Sequence, residues 1–225
     1  MTPTMAMTDR QIHVAVMQEL TWGAQVDETK VGVEVDKGVV TLTGTVGSYA
    51  KKVAAKDAAH RVAGVLDVAN DIQVKVPPAL DRTDTEIARS LRLALEWDAL
   101  VPHEKIQSTV TNGWVTLTGE VPYWIDRLHA ERTIRNLTGV RGVTNNITVY
   151  SASADAKRVK QSIEEALERR ADREAERIQV EVKDGTVSLT GRVHNWREKE
   201  AVLGAAGYAP GVRKVEDHLR VDPYF

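Results

Sequence analysis

The feature that most constrains this chain is a nine-residue stretch that recurs three times. GVVTLTGTV, GWVTLTGEV and GTVSLTGRV begin at Gly38, Gly113 and Gly185, which are 75 and then 72 residues apart. Apolar positions before and after each stretch align at the same spacing, so each copy is a unit of about 70 residues. Repetition at a fixed period predicts tandem copies of one small structure.

Each copy predicts elements in the order α-β-β-α-β. An apolar residue at every fourth position indicates an amphipathic opening helix, and the alternating run after it indicates a half-buried strand. Lys37-Gly38, Asn112-Gly113 and Asp184-Gly185 come next and favour tight hairpins, because such turns need positive φ. A second helix and a closing strand complete the unit. The apolar positions of the opening helices are Ile12, Val16 and Leu20; Ile87, Leu91 and Leu95; and Val159, Ile163 and Leu167.

These patterns predict an α+β fold of three tandem α-β-β-α-β repeats. Each repeat is expected to form a mixed three-stranded sheet packed on two helices, because a hairpin supplies one antiparallel pair and a βαβ crossover one parallel pair. The predicted division is a tail over 1–7, repeats over 8–77, 83–150 and 155–222, linkers over 78–82 and 151–154, and a tail over 223–225.

Recurring glycines and aspartates predict local structure. Gly44, Gly119 and Gly191 fall on the inward face of the second strands by parity, so we expect a helix backbone or a bulge beside them. Gly204, Gly207 and Pro210 predict a short or irregular second helix in the third repeat. The glycines expected to cap the second helices are Gly64, Gly139 and Gly211. The aspartates expected at the starts of the opening helices are Asp9, Asp84 and Asp155.

Composition excludes several classes of protein. The 225 residues include no cysteine, which excludes disulfides, thiolate nucleophiles and cysteine zinc sites. The net charge of −2 argues against a nucleic-acid partner. No run is apolar enough to span a membrane. The first residues have neither the basic start nor the apolar stretch of a signal peptide, so we expect a cytoplasmic protein, or a periplasmic one if the numbering begins after a removed signal.

The sequence contains no catalytic or metal-binding motif that we recognise. Its histidines recur at no equivalent position and form no metal-spaced pair on one helix face, so we interpret them as surface residues. We therefore expect a non-enzymatic protein without cofactor or metal. The histidines are His13, His60, His103, His129, His194 and His218.

An aromatic residue recurs five residues after each inward glycine, at the start of the second helix. An aromatic ring beside cations suits the headgroup region of an anionic membrane. The alternative is that each ring covers its own core edge while the cations only solvate the helix. The candidate lipid or partner contacts are Tyr49, Lys51, Lys52 and Lys56; Trp124, Arg127 and Arg132; and Trp196, Arg197 and Lys199.

A single repeat would bind such a surface weakly. One basic residue near an anionic membrane contributes about 1 kcal/mol. Three contribute about 3 kcal/mol, below the roughly 4.1 kcal/mol of millimolar binding. Three linked repeats could raise the affinity through effective concentration, if their basic edges face the same way.

Three further tryptophans do not belong to this set. Trp22 and Trp97 are equivalent, and we expect them to pack at core edges or between repeats. Trp114 takes an outward strand position, where it could contact another repeat or a partner.

The repeats resemble the BON domain. The resemblance rests on Val40-Thr41-Leu42-Thr43-Gly44 with Gly64-Val65, on the matching second copy, and on the third, in which Asp217 replaces an asparagine. The whole chain is similar to triple-BON bacterial proteins of the osmotically inducible protein Y family. The resemblance implies binding to phospholipid or to membrane-bound partners in osmotic or envelope stress. It leaves open a soluble interaction scaffold, a holdase-type chaperone or a potassium sensor, and the oligomeric state.

Overall fold

The computed structural model describes residues 7–23, 30–150, 156–170 and 178–222. The described residues contain six α-helices and ten β-strands, which repeat the order α-β-β-α-β and confirm the predicted α+β fold. Asp155, the predicted linker over 151–154 and the predicted tail over 223–225 lie outside the described residues.

The first repeat comprises α1 (Asp9–Trp22), β1 (Val31–Asp36), β2 (Val39–Val46), α2 (Tyr49–His60), β3 (Asp67–Asn70) and β4 (Gln73–Val74). The second comprises α3 (Asp84–Trp97), β5 (Ile106–Thr111), β6 (Trp114–Val121), α4 (Trp124–Ile134) and β7 (Gly142–Val149). The third comprises α5 (Ala156–Arg170), β8 (Ile178–Lys183), β9 (Thr186–Val193), α6 (Trp196–Gly207) and β10 (Lys214–Val221).

Each repeat builds a mixed sheet around its second strand. In the first repeat, β2 pairs antiparallel with β1 and parallel with both β3 and β4, which are two pieces of the closing strand. In the second, β6 pairs antiparallel with β5 and parallel with β7 along eight residue pairs. In the third, β9 lies between β8 and β10. The hairpin and the crossover that the sequence predicts are therefore both present.

Residue contacts group the chain into two compact units, which cut across the repeats. The first contact unit comprises Met1–Asp81, Val193–Glu198 and Val221–Phe225, and the second comprises Arg82–Arg192 and Lys199–Arg220. Each contact unit therefore includes a part of the third repeat.

The core of the first repeat joins both of its helices to one face of the sheet. The apolar stripe of α1 and the inward residues of β2 lie in one buried cluster with the small residues of α2, so the alanines let α2 lie close to the sheet. The principal members are Ile12, Val16, Leu20, Val40, Leu42, Ala55, Ala58, Ala59 and Ile72. The stripes of α3 and α5 are buried in the same way.

An aspartate in the first turn of the opening helix holds the hairpin. Thr8 caps α1, and the Asp9 carboxylate accepts hydrogen bonds from the backbone N–H groups of Lys37 and Gly38, both at 2.9 Å. Asp84 accepts the corresponding pair from Asn112 and Gly113, both at 2.8 Å. The aspartates predicted at the helix starts thus also tie the tight turn to the helix.

The expectation that a helix approaches the strand glycines is wrong, and so is the inward face predicted for Gly44. Gly44 is exposed, with φ +110°, and Gly119 has φ +133°. A Cβ on Gly44 would lie 2.0 Å from the carbonyl oxygen of Lys30, and one on Gly119 would lie 2.1 Å from that of Lys105. The backbone just before the adjacent first strand therefore leaves no room for a side chain at these positions. Their positive φ is a second reason why glycine is required there.

The second helices also end differently from the prediction. α2 and α4 end at His60 and Ile134, a turn before the expected capping residues Gly64 and Gly139. The expectation of a short or irregular α6 is wrong, because α6 is a continuous helix of twelve residues, as long as α2. Gly204 lies inside α6, and a Cβ there would meet no atom within 4 Å.

Two glycine substitutions in the second contact unit test this account. Gly119→Ala should lower the free energy of unfolding by about 3 kcal/mol, because positive φ strains an L-residue and its Cβ would meet a backbone oxygen. Gly204→Ala should raise it by about 0.5–1 kcal/mol through helix propensity. Urea denaturation followed by circular dichroism measures both, and equal effects of the two substitutions would contradict the account.

Candidate functional site

The predicted aromatic residues stand at the first helical position of the second helices. Tyr49 begins α2, Trp124 begins α4 and Trp196 begins α6, as the sequence predicts. All three side chains are partly buried. Their surroundings decide how much of each ring is available to a ligand.

Trp196 packs against the end of α2. Its ring stacks on His60 with a centroid separation of 3.7 Å and an interplanar angle of 7°. Its Nε1 donates a hydrogen bond to the carbonyl oxygen of Val65 at 3.3 Å. All three residues belong to the first contact unit. Trp196 therefore joins the third repeat to the first, and one ring face is covered by protein.

Trp124 packs against the end of α6 within the second contact unit. A Cβ on Gly207 would lie 2.4 Å from this ring, so glycine leaves the space that the indole fills. Beside it, Tyr208 and His129 meet edge to face at a centroid separation of 6.2 Å. Trp124 thus also contacts the third repeat. Whether these helix-start aromatics contact lipid stays a prediction.

One position among the predicted cations is shared by all three repeats, and it holds the second helix to the closing strand. In the first two repeats this position is Lys52 and Arg127, whose backbone carbonyls accept from the side-chain amides of Asn70 at 2.9 Å and Asn145 at 2.7 Å. Arg127 also donates from Nη2 to the Asn145 carbonyl at 3.3 Å. These contacts fix the first turn of the helix.

The third repeat makes the same connection with different chemistry. Asp217 stands where the other repeats have asparagine and cannot donate from its carboxylate. Lys199 supplies the donor instead: its ammonium pairs with Asp217 at 2.8 Å and donates to the Leu219 carbonyl at 2.9 Å. The departure noted in the sequence is therefore compensated by a charged pair, and Lys199 has a structural role.

The other predicted cations lie nearer to solvent. Lys51, Arg132 and Arg197 are exposed. Lys56 is 3.9 Å from the Asp57 carboxylate, and both side chains are partly exposed, so this pair contributes little stability. The exposed three are the members of the predicted set with the greatest access to an anionic surface.

Sequence reasoning misplaced the two tryptophans at the ends of the opening helices. Trp22 is 85% exposed and Trp97 is 87% exposed, so the expectation of packing at a core edge or between repeats is wrong. Leu93, one helical turn before Trp97, is 56% exposed, and Leu100 is 64% exposed. We call Leu93, Trp97 and Leu100 the α3 apolar patch. The sequence could have predicted this exposure, because Leu93 and Trp97 lie off the buried stripe of α3 and Leu100 follows the end of the helix.

Trp114 covers its own sheet. Its Nε1 donates to the hydroxyl of Thr144 at 2.8 Å, and a Cβ on Gly142 would lie 2.4 Å from the ring. The side chain remains 50% exposed. The ring is thus held across β7 of the same repeat.

A carboxylate occupies the third helical position of α4 and of α6. Asp126 is buried and accepts from the backbone N–H of Tyr123 at 3.0 Å. Burial raises the pKa of Asp126, although this hydrogen bond and the charge of His129 act in the opposite direction. Glu198 accepts from the backbone N–H of His194 at 2.8 Å. In both repeats, the carboxylate satisfies an amide of the loop before the helix.

The described residues contain no cluster of histidine and acidic side chains that could hold a metal ion. None of the helices in the described ranges is long and apolar enough to cross a membrane.

Comparison with known proteins identifies the family. The model of the BON domain matches residues 8–76, 83–150 and 155–223. The chain belongs to the BON-domain family. This confirms the resemblance drawn from the strand and glycine motifs, and each repeat is a BON domain.

Similarity to individual proteins is more limited. The chain is 29% identical over 147 residues to osmotically-inducible protein Y of Escherichia coli strain K12, a match that covers 63% of this chain and 72% of that protein. The C-terminal domain of CdsD, a type III secretion structural protein of Chlamydia trachomatis, is 12% identical with a TM-score of 0.27, covering 96% of this chain and all of that domain. A second CdsD structure is 14% identical with a TM-score of 0.25, covering 92% and 90%. Scores this low do not establish a common fold.

Removing either of two neighbouring cations in the third BON domain should change the stability of the protein by different amounts. Lys199→Met should lower the free energy of unfolding by about 2 kcal/mol, because it leaves the Leu219 carbonyl without its side-chain donor and removes the cation paired with Asp217, which keeps only the Leu219 N–H. Arg197→Met should change it by less than about 0.5 kcal/mol, because Arg197 is exposed. Thermal unfolding of the two variants measures the difference, and a neutral Lys199→Met would remove the structural role assigned here.

Proposed function

We propose that this protein is a non-enzymatic membrane-associating protein that binds phospholipid surfaces during osmotic or envelope stress, with Trp22 and Trp97 as its interfacial anchors. The observation that carries the proposal is their exposure, 85% and 87%, at equivalent positions of two BON domains. The name of the Escherichia coli relative supports the link to osmotic stress.

Exposed tryptophans suit a membrane interface because the indole is apolar and carries one polar N–H. Tryptophan is enriched where hydrocarbon meets headgroup. The α3 apolar patch adds Leu93 and Leu100 to Trp97, with more than half of each side chain exposed. The patch therefore has the composition of a shallow membrane contact.

We expect one BON domain to bind a membrane weakly and two linked BON domains to bind it more tightly. Full burial of one large apolar side chain contributes about 1.5–3 kcal/mol, so half-burial of the three patch residues contributes about 2–4.5 kcal/mol. Millimolar binding corresponds to about 4.1 kcal/mol. Trp22 lies on the same chain in the other contact unit and would raise the affinity by effective concentration if both reach one surface.

Charge contributes less than the apolar contact. The net charge is −2, and the exposed cations Lys51, Arg132 and Arg197 of the second helices are dispersed among acidic residues. Surface charge is screened within about 8 Å at physiological salt. Binding through the tryptophans should therefore persist when salt is raised, whereas binding through the cations should not.

Co-sedimentation with vesicles of phosphatidylglycerol and phosphatidylcholine tests the proposal at low and physiological salt. The wild-type protein should pellet at both. Trp22→Ala with Trp97→Ala should weaken pelleting at least about tenfold, which corresponds to about 1.4 kcal/mol. Trp114→Ala is the matched control, because this tryptophan is half-exposed but held across its own sheet, and it should pellet like the wild type.

Absence of wild-type pelleting at both salt concentrations would contradict the proposal. Loss of pelleting by Trp124→Ala with Trp196→Ala, in protein that remains folded, would instead support the helix-start aromatics as the lipid contacts. The same exposed apolar patch also favours a second candidate, a holdase-type chaperone or interaction scaffold. Lipid-independent suppression of the aggregation of reduced insulin, lost with Trp97→Ala, would support that function.

A further inference from the structure

The first BON domain contains a cavity lined by lysines, and the exposed Trp22 is not among its lining residues. It has a volume of about 320 Å³ and lies among the end of β2, the start of α2 and the segment after β4. Of the described residues that line it, Lys30, Lys51 and Lys75 are basic and none is acidic. Gly47 and Thr45 contribute to the same wall. Its volume is at the small end of the range for small-molecule sites.

In the second BON domain, the residues at the equivalent positions have partners within the chain. Lys105 replaces Lys30, and its ammonium donates to the Tyr150 hydroxyl at 2.6 Å and lies 4.5 Å from the centre of that ring. Tyr150 is the counterpart of Lys75. Asp126, the counterpart of Lys51, accepts from the N–H of Tyr123. One cation, one anion and one phenol thus stand where the first domain has three lysines.

The third BON domain also places an anion at the position of Lys51. Glu198 accepts from the backbone N–H of His194 and lies 3.3 Å from the Nδ1 of the same residue. A side-chain carboxylate of the chain therefore fills this place before the second helix in two of the three domains.

At this position the first domain carries Lys51 in place of a carboxylate. Lys51 cannot accept a hydrogen bond. Within the described ranges, the N–H groups of Gly47 and Ser48 have no acceptor, and neither Lys51 nor Lys75 pairs with a carboxylate. Lys51 and Lys75 carry like charges at one cavity and repel each other, and an external anion with several acceptor oxygens would remove this repulsion and accept from the free amides.

We propose that this cavity binds a phosphate group, supplied either by a lipid headgroup or by a soluble phosphate. The phosphate takes the place that Asp126 and Glu198 fill in the other domains, with the lysine ammonium groups as point-charge partners. The proposal goes beyond membrane association, because it requires neither exposed tryptophan and applies to phosphate in solution.

A titration of the full chain with inorganic phosphate, at constant ionic strength set with chloride, tests the site by amide NMR. The Gly47 and Ser48 resonances should shift and saturate. Lys51→Glu should weaken phosphate binding at least about tenfold, because it supplies the carboxylate that the third domain already carries. Lys52→Glu makes the same charge change one residue outside the cavity lining and should retain binding.

Lys75→Gln provides a second variant should Lys51→Glu disturb the fold, and it should weaken binding about fivefold. Shifts that never saturate, or an equal loss of binding in Lys51→Glu and Lys52→Glu, would overturn the proposal, because both results indicate general charge screening.

Vesicles of phosphatidylcholine with and without phosphatidic acid distinguish the two sources of phosphate. A larger loss of pelleting for Lys51→Glu than for Lys52→Glu assigns the site to a lipid headgroup. Equal pelleting together with lost phosphate shifts assigns it to soluble phosphate. Vesicle binding without any saturable phosphate shift would overturn the phosphate site and leave the membrane function intact. Saturable phosphate shifts without vesicle binding would support the phosphate site and contradict the membrane function.

Discussion

The connection between the second helix and the closing strand fixes the start of the second helix, on which the proposed phosphate cavity depends. A polar side chain at the strand holds the first turn of the helix: Asn70 and Asn145 donate to backbone carbonyls, and Asp217 pairs with Lys199. Because the first turn is fixed, the residue before this position faces the loop that enters the helix. That residue is Asp126 in the second domain, Glu198 in the third and Lys51 in the first. The same fold therefore forms either an internal hydrogen bond from the loop to a carboxylate or a cavity lined by lysines.

Much of the fold could be predicted because it follows from periodicity. The fourfold spacing of Ile12, Val16 and Leu20 and the alternation through Val40 and Leu42 define buried faces, and all five residues are in the core. The failures have a physical reason too. Strand parity predicts an inward face for Gly44, whereas the residue is exposed with positive φ, and only coordinates show that the Lys30 carbonyl excludes a side chain there.

The candidate site was less predictable, because the same residue types serve packing and binding. Trp196 and Trp97 are both tryptophans beside charged residues, yet one stacks on His60 and the other is exposed. The stack joins residues far apart in sequence, so no local pattern reveals it. The exposure of Trp97 could have been inferred, because it lies outside the helix stripe completed by Leu95. Likewise, the structural role of Lys199 becomes visible only when Asp217 is seen opposite it.

The central functional claim is that the exposed tryptophans, and not those at the helix starts, enter the lipid interface. Single-tryptophan variants that retain only Trp97 or only Trp196, with phenylalanine at the other tryptophan positions, test this directly by fluorescence in vesicles containing brominated phosphatidylcholine. The account predicts that brominated lipid quenches Trp97 and shifts its emission to shorter wavelength, while Trp196 is unaffected. Quenching of Trp196 with no change in Trp97 would contradict it.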